Sequence, residues 1–177
     1  WGLCQAGMAL AIISAARAVV TTGRLAEELT ADEASVLVFS GHPAQALEVL
    51  ERVTDRDRRT RVARAIAAAP ALAVAGRTAE AVRTARAGYA EHVALGDELG
   101  LAHPAMHLVN QVFGLAEAGR LAEAEKLAHE GAEIVAAQRV PIAQIFFSAS
   151  LGRVATLQGR VATARRYYAE AAGLAEA

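Results

Sequence analysis

The sequence predicts an all-α fold: an α-solenoid of about nine helices, stacked as antiparallel pairs. Two observations predict it. A short motif opened by glycine recurs along the chain. Gly41 opens "GHPAQALEVL", Gly76 "GRTAEAVRTA", Gly119 "GRLAEAEKLA" and Gly159 "GRVATARRYY", at spacings of 35, 43 and 40 residues. Periods of this size without strand patterning belong to stacked helix pairs. The second observation is composition. Hydrophobic residues make up 54% of the 177 residues but aromatics only 5%, and much of the remainder is alanine, the best helix former and a poor source of buried area.

Each part of the motif has a physical reason. The glycine can end a helix in the left-handed conformation without a Cβ penalty. Five residues later stand Ala46, Ala81, Ala124 and Ala164, small enough to let the second helix of a pair approach the first. Seven residues before the glycine stand Ala34, Ala69, Val112 and Gly152, as a close crossing also demands. Four before it, Leu37, Leu72, Leu115 and Ala155 are core candidates. Nine after it lie Leu50, Ala85, Ala128 and Tyr168.

Taken in order, the helices are expected at about 3–21, 30–40, 43–53, 57–75, 77–95, 103–118, 120–138, 141–158 and 160–175. The apolar stretch "LCQAGMALAIISAARAVV" is short for a membrane span and carries Gln5 and Arg17; it reads as a buried first helix. No basic segment precedes it, so it does not read as a signal peptide. Thr30 and Glu33 have the spacing of a capping box. Pro43, Pro104 and Pro141 suit first helical positions, where a missing N–H costs nothing. "GDELGLAH" over 96–103 is the clearest loop. Gly23 opens a further echo, "GRLAEE", too close to Gly41 for a full pair. The expected organisation is one helical-repeat domain over 1–177, with an irregular N-terminal unit over 1–29 and about four helix pairs over 30–177. A first residue of Trp1 rather than Met leads us to expect a piece of a longer chain.

Small residues in the first helix, a glycine at the turn and an alanine early in the second helix resemble the tetratricopeptide repeat over about residues 27–177. The match is degenerate, because the proline expected after the second helix is mostly missing and two of the periods exceed that family's 34 residues. The Ala/Arg-rich units "AGRLAEAEKLA" and "QGRVATARRYYAEAAGLA" further resemble the repeat region of large ATP-binding LuxR-type transcriptional regulators. In that family the repeats act as a sensor or interaction arm between an NTPase module and a helix-turn-helix. The resemblance implies a regulatory role without ATP or DNA binding by these residues.

Little in the chain supports catalysis. There is no phosphate-binding glycine loop, no His-Glu-x-x-His and no Gly-x-Ser-x-Gly elbow. No enzyme activity, cofactor or metal is expected. His103 and His107 share a helix face as metal ligands do, with Asp97 or Glu98 as the only third ligand in reach. The alternative is that His103 caps the helix and His107 packs at a repeat interface. Arg56, Arg58, Arg59, Arg61 and Arg64 crowd one stretch, but Asp55 and Asp57 interleave, which favours a salt-bridged helix start over a nucleic-acid patch. A net charge of −1 adds no bias toward nucleic acid or anionic membrane. Cys4 is the sole cysteine, consistent with a cytoplasmic chain.

The informative surface is the groove lined by the first helices of the pairs. The repeat's groove positions fall on Ile66, Pro70 and Ala73, then Met106, Val109, Asn110 and Phe113, then Phe146, Ala149 and Arg153. The site expected there is Ile66, Met106, Val109, Asn110, Phe113, Phe146 and Arg153, with Asn110 and Arg153 as polar anchors. Three occupants fit an apolar lining: a small effector or apolar peptide, another domain of the parent chain or a second copy, or, with the helices rotated, the ordinary core. A stand-alone scaffold joining proteins is the second functional expectation.

Overall fold

The computed structural model describes residues 5–54, 57–96 and 103–176. All the regular structure there is helical: α1 (Ala6–Val19), α2 (Arg24–Phe39), α3 (Pro43–Leu50), α4 (Arg58–Val74), α5 (Thr78–Leu95), α6 (Ala105–Glu117), α7 (Leu121–Ala137), α8 (Pro141–Leu157) and α9 (Val161–Glu176). Consecutive helices pack against each other, and the first helices of the pairs, α2, α4, α6 and α8, also touch in series. The result is a helical-repeat stack of α2/α3, α4/α5, α6/α7 and α8/α9, with α1 laid against α2.

The turn glycines close each pair. At Gly41, Gly76, Gly119 and Gly159 φ lies between 72° and 84°. The following amide reaches back to the carbonyl five residues earlier, as in Arg77 N to Leu72 O at 2.8 Å and Arg120 N to Leu115 O at 2.9 Å. This double reversal satisfies carbonyls that a helix end would otherwise orphan. The alanines after each turn are buried: Ala46, Ala81 and Ala124 have no exposed surface. Arg77 and Arg120 at the turns pair outward with Glu80 and Glu123 at 2.7 and 2.6 Å.

Between pairs, the packing turns on glycines inside the second helices. A Cβ on Gly88 in α5 would lie 2.6 Å from the His107 ring, and one on Gly131 in α7 would lie 2.3 Å from Phe147. Each glycine sits twelve residues after its own turn glycine, and each ring twelve before the next one. In two of the three interfaces between pairs, the following first helix therefore drops an aromatic ring onto bare backbone at the same register. His107 and Phe147 are fully buried as a result. Within the last pair the same trade appears between Gly152 and Tyr168, whose ring would stand 2.8 Å from an added Cβ.

Three N-terminal expectations are corrected. Helix α2 starts at Arg24, directly after Gly23 (φ 81°), so the expected unit boundary at residue 29 falls inside a helix. Thr30 is consequently no cap; its hydroxyl donates to the Ala26 carbonyl within α2 at 2.8 Å, and Glu33 pairs with Arg17. Helix α1 is not a buried first helix, because none of its residues is buried. Among the described residues its single main neighbour is α2. Pro43 and Pro141 open α3 and α8, whereas Pro104 precedes the first residue of α6. The expected loop over 96–103 lies largely outside the described residues, as do Cys4, Asp55, Arg56, Asp97 and Glu98.

The glycine contacts give a paired prediction. Gly131→Ala gains about 1 kcal/mol of helix propensity but forces a methyl into Phe147, and overpacking of that kind costs about 1–3 kcal/mol or more once the backbone moves. We expect a net loss, read as a melting temperature lower by several degrees. Gly173→Ala, in α9 with nothing within 4 Å of the new methyl, is expected to leave melting unchanged or raise it. Equal shifts for the two variants would contradict the packing described.

Candidate functional site

The groove between the first helices is a half-open cavity of about 670 Å³. Its wall is built in stripes. Helix α2 contributes Asp32, Ser35, Val36 and Phe39, one face at helical spacing. Helix α4 adds Ala63 and Ile66, α6 adds Met106 and Asn110 with His103 just ahead of it, and α8 adds Ile142 and Phe146. Ala9, Ile12 and Ile13 of α1 form the remaining side. The lining is apolar apart from Asp32, Ser35, His103 and Asn110.

Of the seven residues expected at the site, the structure brings together four here: Ile66, Met106, Asn110 and Phe146. Val109 packs instead against the core of the C-terminal half. Phe113 packs against the N-terminal core, and its exposed ring face carries the Arg153 guanidinium 5.2 Å from the centroid. Arg153 also pairs with Glu117. Arg153 is therefore already engaged, next to Phe113, and does not line the cavity.

Asn110 has a second task, set by Pro70. A proline inside a helix has no N–H for the carbonyl four residues back. In α4 that carbonyl belongs to Ile66, and Asn110 Nδ2 donates to it across the helix interface at 3.1 Å. Asn110 is 7% exposed, and its bond stands in for the one the proline cannot make. Pro70 and Ala73, carried to the groove by the repeat pattern, are buried in the core.

The remaining polar wall groups differ in how far they are satisfied. His103 Nδ1 accepts from the Ala105 amide at 3.2 Å, capping α6. The Ser35 hydroxyl donates to the Ala31 carbonyl at 3.1 Å. Asp32 has no hydrogen-bond or ion-pair partner among the described residues, although its neighbours Glu28 and Glu33 are held by Arg59 and Arg17. Surrounding protein pushes the Asp32 carboxyl above its ordinary range, and the nearby Glu28 charge adds to that. Among the described lining residues it is the one carboxylate, and neither arginine nor lysine joins it.

Behind the groove, His107 stacks edge-on to His92 with ring centroids 5.3 Å apart. Burial, with a smaller contribution from His92, pushes the His107 imidazole down to about 3, so it is neutral and serves as the ring over Gly88. Among the described residues no group of three His, Cys, Asp or Glu side chains could hold a metal ion. The arginines of α4 do not form a free basic patch: Arg58 and Arg61 pair with Glu91 at 3.0 and 3.2 Å and Arg59 with Glu28 at 2.6 Å. They tie α4 to α5 and α2. Asp57 caps the same helix by accepting from the Thr60 amide at 2.8 Å, which also holds its carboxyl below the ordinary range. No described helix is long and apolar enough to cross a membrane.

No protein family, curated protein or solved structure matches the chain at a significant level.

The Pro70–Asn110 arrangement can be tested by a double-mutant cycle. Asn110→Ala leaves the Ile66 carbonyl unsatisfied and is expected to cost about 1–3 kcal/mol in urea unfolding. In a Pro70→Ala background the restored Ala N–H can take that carbonyl, so the same change is expected to cost about 1 kcal/mol less. Strict additivity would show that the two residues are not linked.

Proposed function

We propose that the chain is a non-catalytic binding domain whose groove takes a mainly apolar ligand of small-molecule size, and that it serves as the effector-responsive arm of a larger transcriptional regulator. The observation that carries the binding part is the cavity itself. Its volume lies within the range of about 300–1,000 Å³ usual for ligand pockets, and an apolar wall with a few placed polar groups is their usual chemistry. Five helices contribute to it, and large side chains of its wall such as Ile12 and Ile142 are more than half exposed. Side chains of this size gain about 1.5–3 kcal/mol each on full burial, which an apolar occupant would supply.

The regulator part rests on the Gly-Arg-x-Ala repeat idiom and its resemblance to LuxR-type regulators. An intact gene lacking both a phosphate-binding loop and a helix-turn-helix would contradict it without touching the binding part.

Binding is tested with Nile red, a neutral apolar dye, followed by fluorescence titration. The wild type is expected to bind one equivalent saturably. The variant Phe39→Gln/Ile142→Gln changes two exposed wall residues and should weaken binding at least ten-fold, whereas Val161→Gln, exposed on α9 away from the groove, should not. No saturable binding, or equal binding by all three proteins, would contradict the proposal.

A further inference from the structure

The charge in the groove is one-sided. Among the described lining residues Asp32 alone carries a carboxylate, and none of them is a lysine or arginine that could balance it. The acidic run around it makes the point sharper. Glu27 accepts a hydrogen bond from Thr54, Glu28 is paired with Arg24 and Arg59, and Glu33 with Arg17. Only Asp32, on the stripe of α2 that faces the cavity, has no partner among the described residues. Arg17, Arg24 and Arg59 are thus committed to its neighbours.

A carboxylate beside apolar walls is held in a less polar surround than bulk water, where an opposite charge interacts more strongly than on an open surface. A second carboxylate or a phosphate brought into the same groove would meet like charge and no lysine or arginine among the described lining residues. A neutral ligand would leave the acid unpaired and more deeply desolvated. A cation on an apolar body answers both demands at once, covering the exposed Ile12 and Ile142 and neutralising Asp32.

We infer that the groove is built for a cationic amphiphile, a ligand with an amine at one end and an apolar body filling the space between α1, α2 and α8, its ammonium paired with Asp32. The inference rests on the binding reading above and adds the class of ligand. The ammonium donates to the carboxylate oxygens, and the amide oxygen of Asn110, whose nitrogen is already committed to Ile66, is a further acceptor in the wall.

Three probes of equal chain length separate the possibilities: decylammonium, decanol and decanoate, each titrated by isothermal calorimetry below its micelle-forming concentration. Wild-type protein is expected to bind decylammonium at least ten-fold more tightly than decanol, and decanoate most weakly. Asp32→Asn should bring decylammonium and decanol to within about two-fold of each other and leave decanol unchanged, and Asp32→Glu should restore the preference. Asp32 is accessible and unpaired, so its amide should not unfold the chain, and an unchanged far-ultraviolet circular dichroism spectrum checks this. Equal affinity for decanol and decylammonium in the wild type, a preference for decanoate, or a preference that survives in Asp32→Asn would overturn the inference while leaving an apolar binding groove intact. Failure of all three probes to bind would overturn the binding reading, and this inference with it.

Discussion

The seating of an aromatic ring on a glycine backbone sets the spacing of the last three pairs. At Gly131 the Phe147 ring is closer than any Cβ allows, and at Gly88 the His107 ring does the same. Helix axes can approach this closely only where one side offers no side chain, and the ring then fills the volume that the missing one leaves. An alanine-rich chain gains little from each buried methyl. Close approach compensates, because dispersion contacts accumulate over many atom pairs. His107 illustrates how strict the demand is: both of its ring nitrogens are buried without a hydrogen-bond partner, and it holds the position as a neutral ring.

The groove is a consequence of this spacing. Once the second helices are locked behind them, α2, α4, α6 and α8 lie side by side and turn one stripe each toward a common surface. Pro70 shows how tightly the two sides are coupled. Its missing N–H is made good by Asn110 from the next pair, so a residue in the groove wall is also a joint between repeats. Helix α1 differs in kind. It contributes three wall residues but has no buried residue of its own, and its side-chain tie to α2 is a single, partly buried Arg17–Glu33 pair. The wall it supplies is therefore the least firmly held part of the site.

Much of the fold was legible in the sequence because its signals are local. A turn glycine, an alanine five residues on and a small residue seven before declare a helix pair whatever surrounds them. The N-terminal unit was misjudged because those signals are incomplete there. Gly23 begins a helix rather than ending a pair, and Thr30 followed by Glu33 has the spacing of a cap although the helix already runs through it. The expected helix over 30–40 already contained Asp32, Ser35, Val36 and Phe39, but groove positions were carried only onto the later pairs, so this stripe of the wall was missed. The signal was present as apolar residues at 36 and 39 outside the stripe of Ala31, Ala34 and Val38 that enters the core. The other errors are long-range in origin. No spacing rule tells that Asn110 faces a carbonyl forty-four residues away, or that Phe113 and Arg153 close on each other beyond the cavity. The ring-on-glycine register was readable, since Gly88 and Gly131 are equally spaced from their turns, but only by comparing second helices as well as turns.

The central claim is that Phe147 lies face to backbone with Gly131, and a nuclear magnetic resonance measurement reaches it most directly. In the folded protein the account predicts strong Overhauser effects between the Gly131 Hα protons and the Phe147 ring, with at least one Hα displaced far from its usual helical shift by the ring current. Gly173 Hα, with nothing near it, supplies the undisplaced reference. Ordinary shifts at Gly131 with no cross-peak to the ring would contradict the packing on which the stack, and with it the groove, depends.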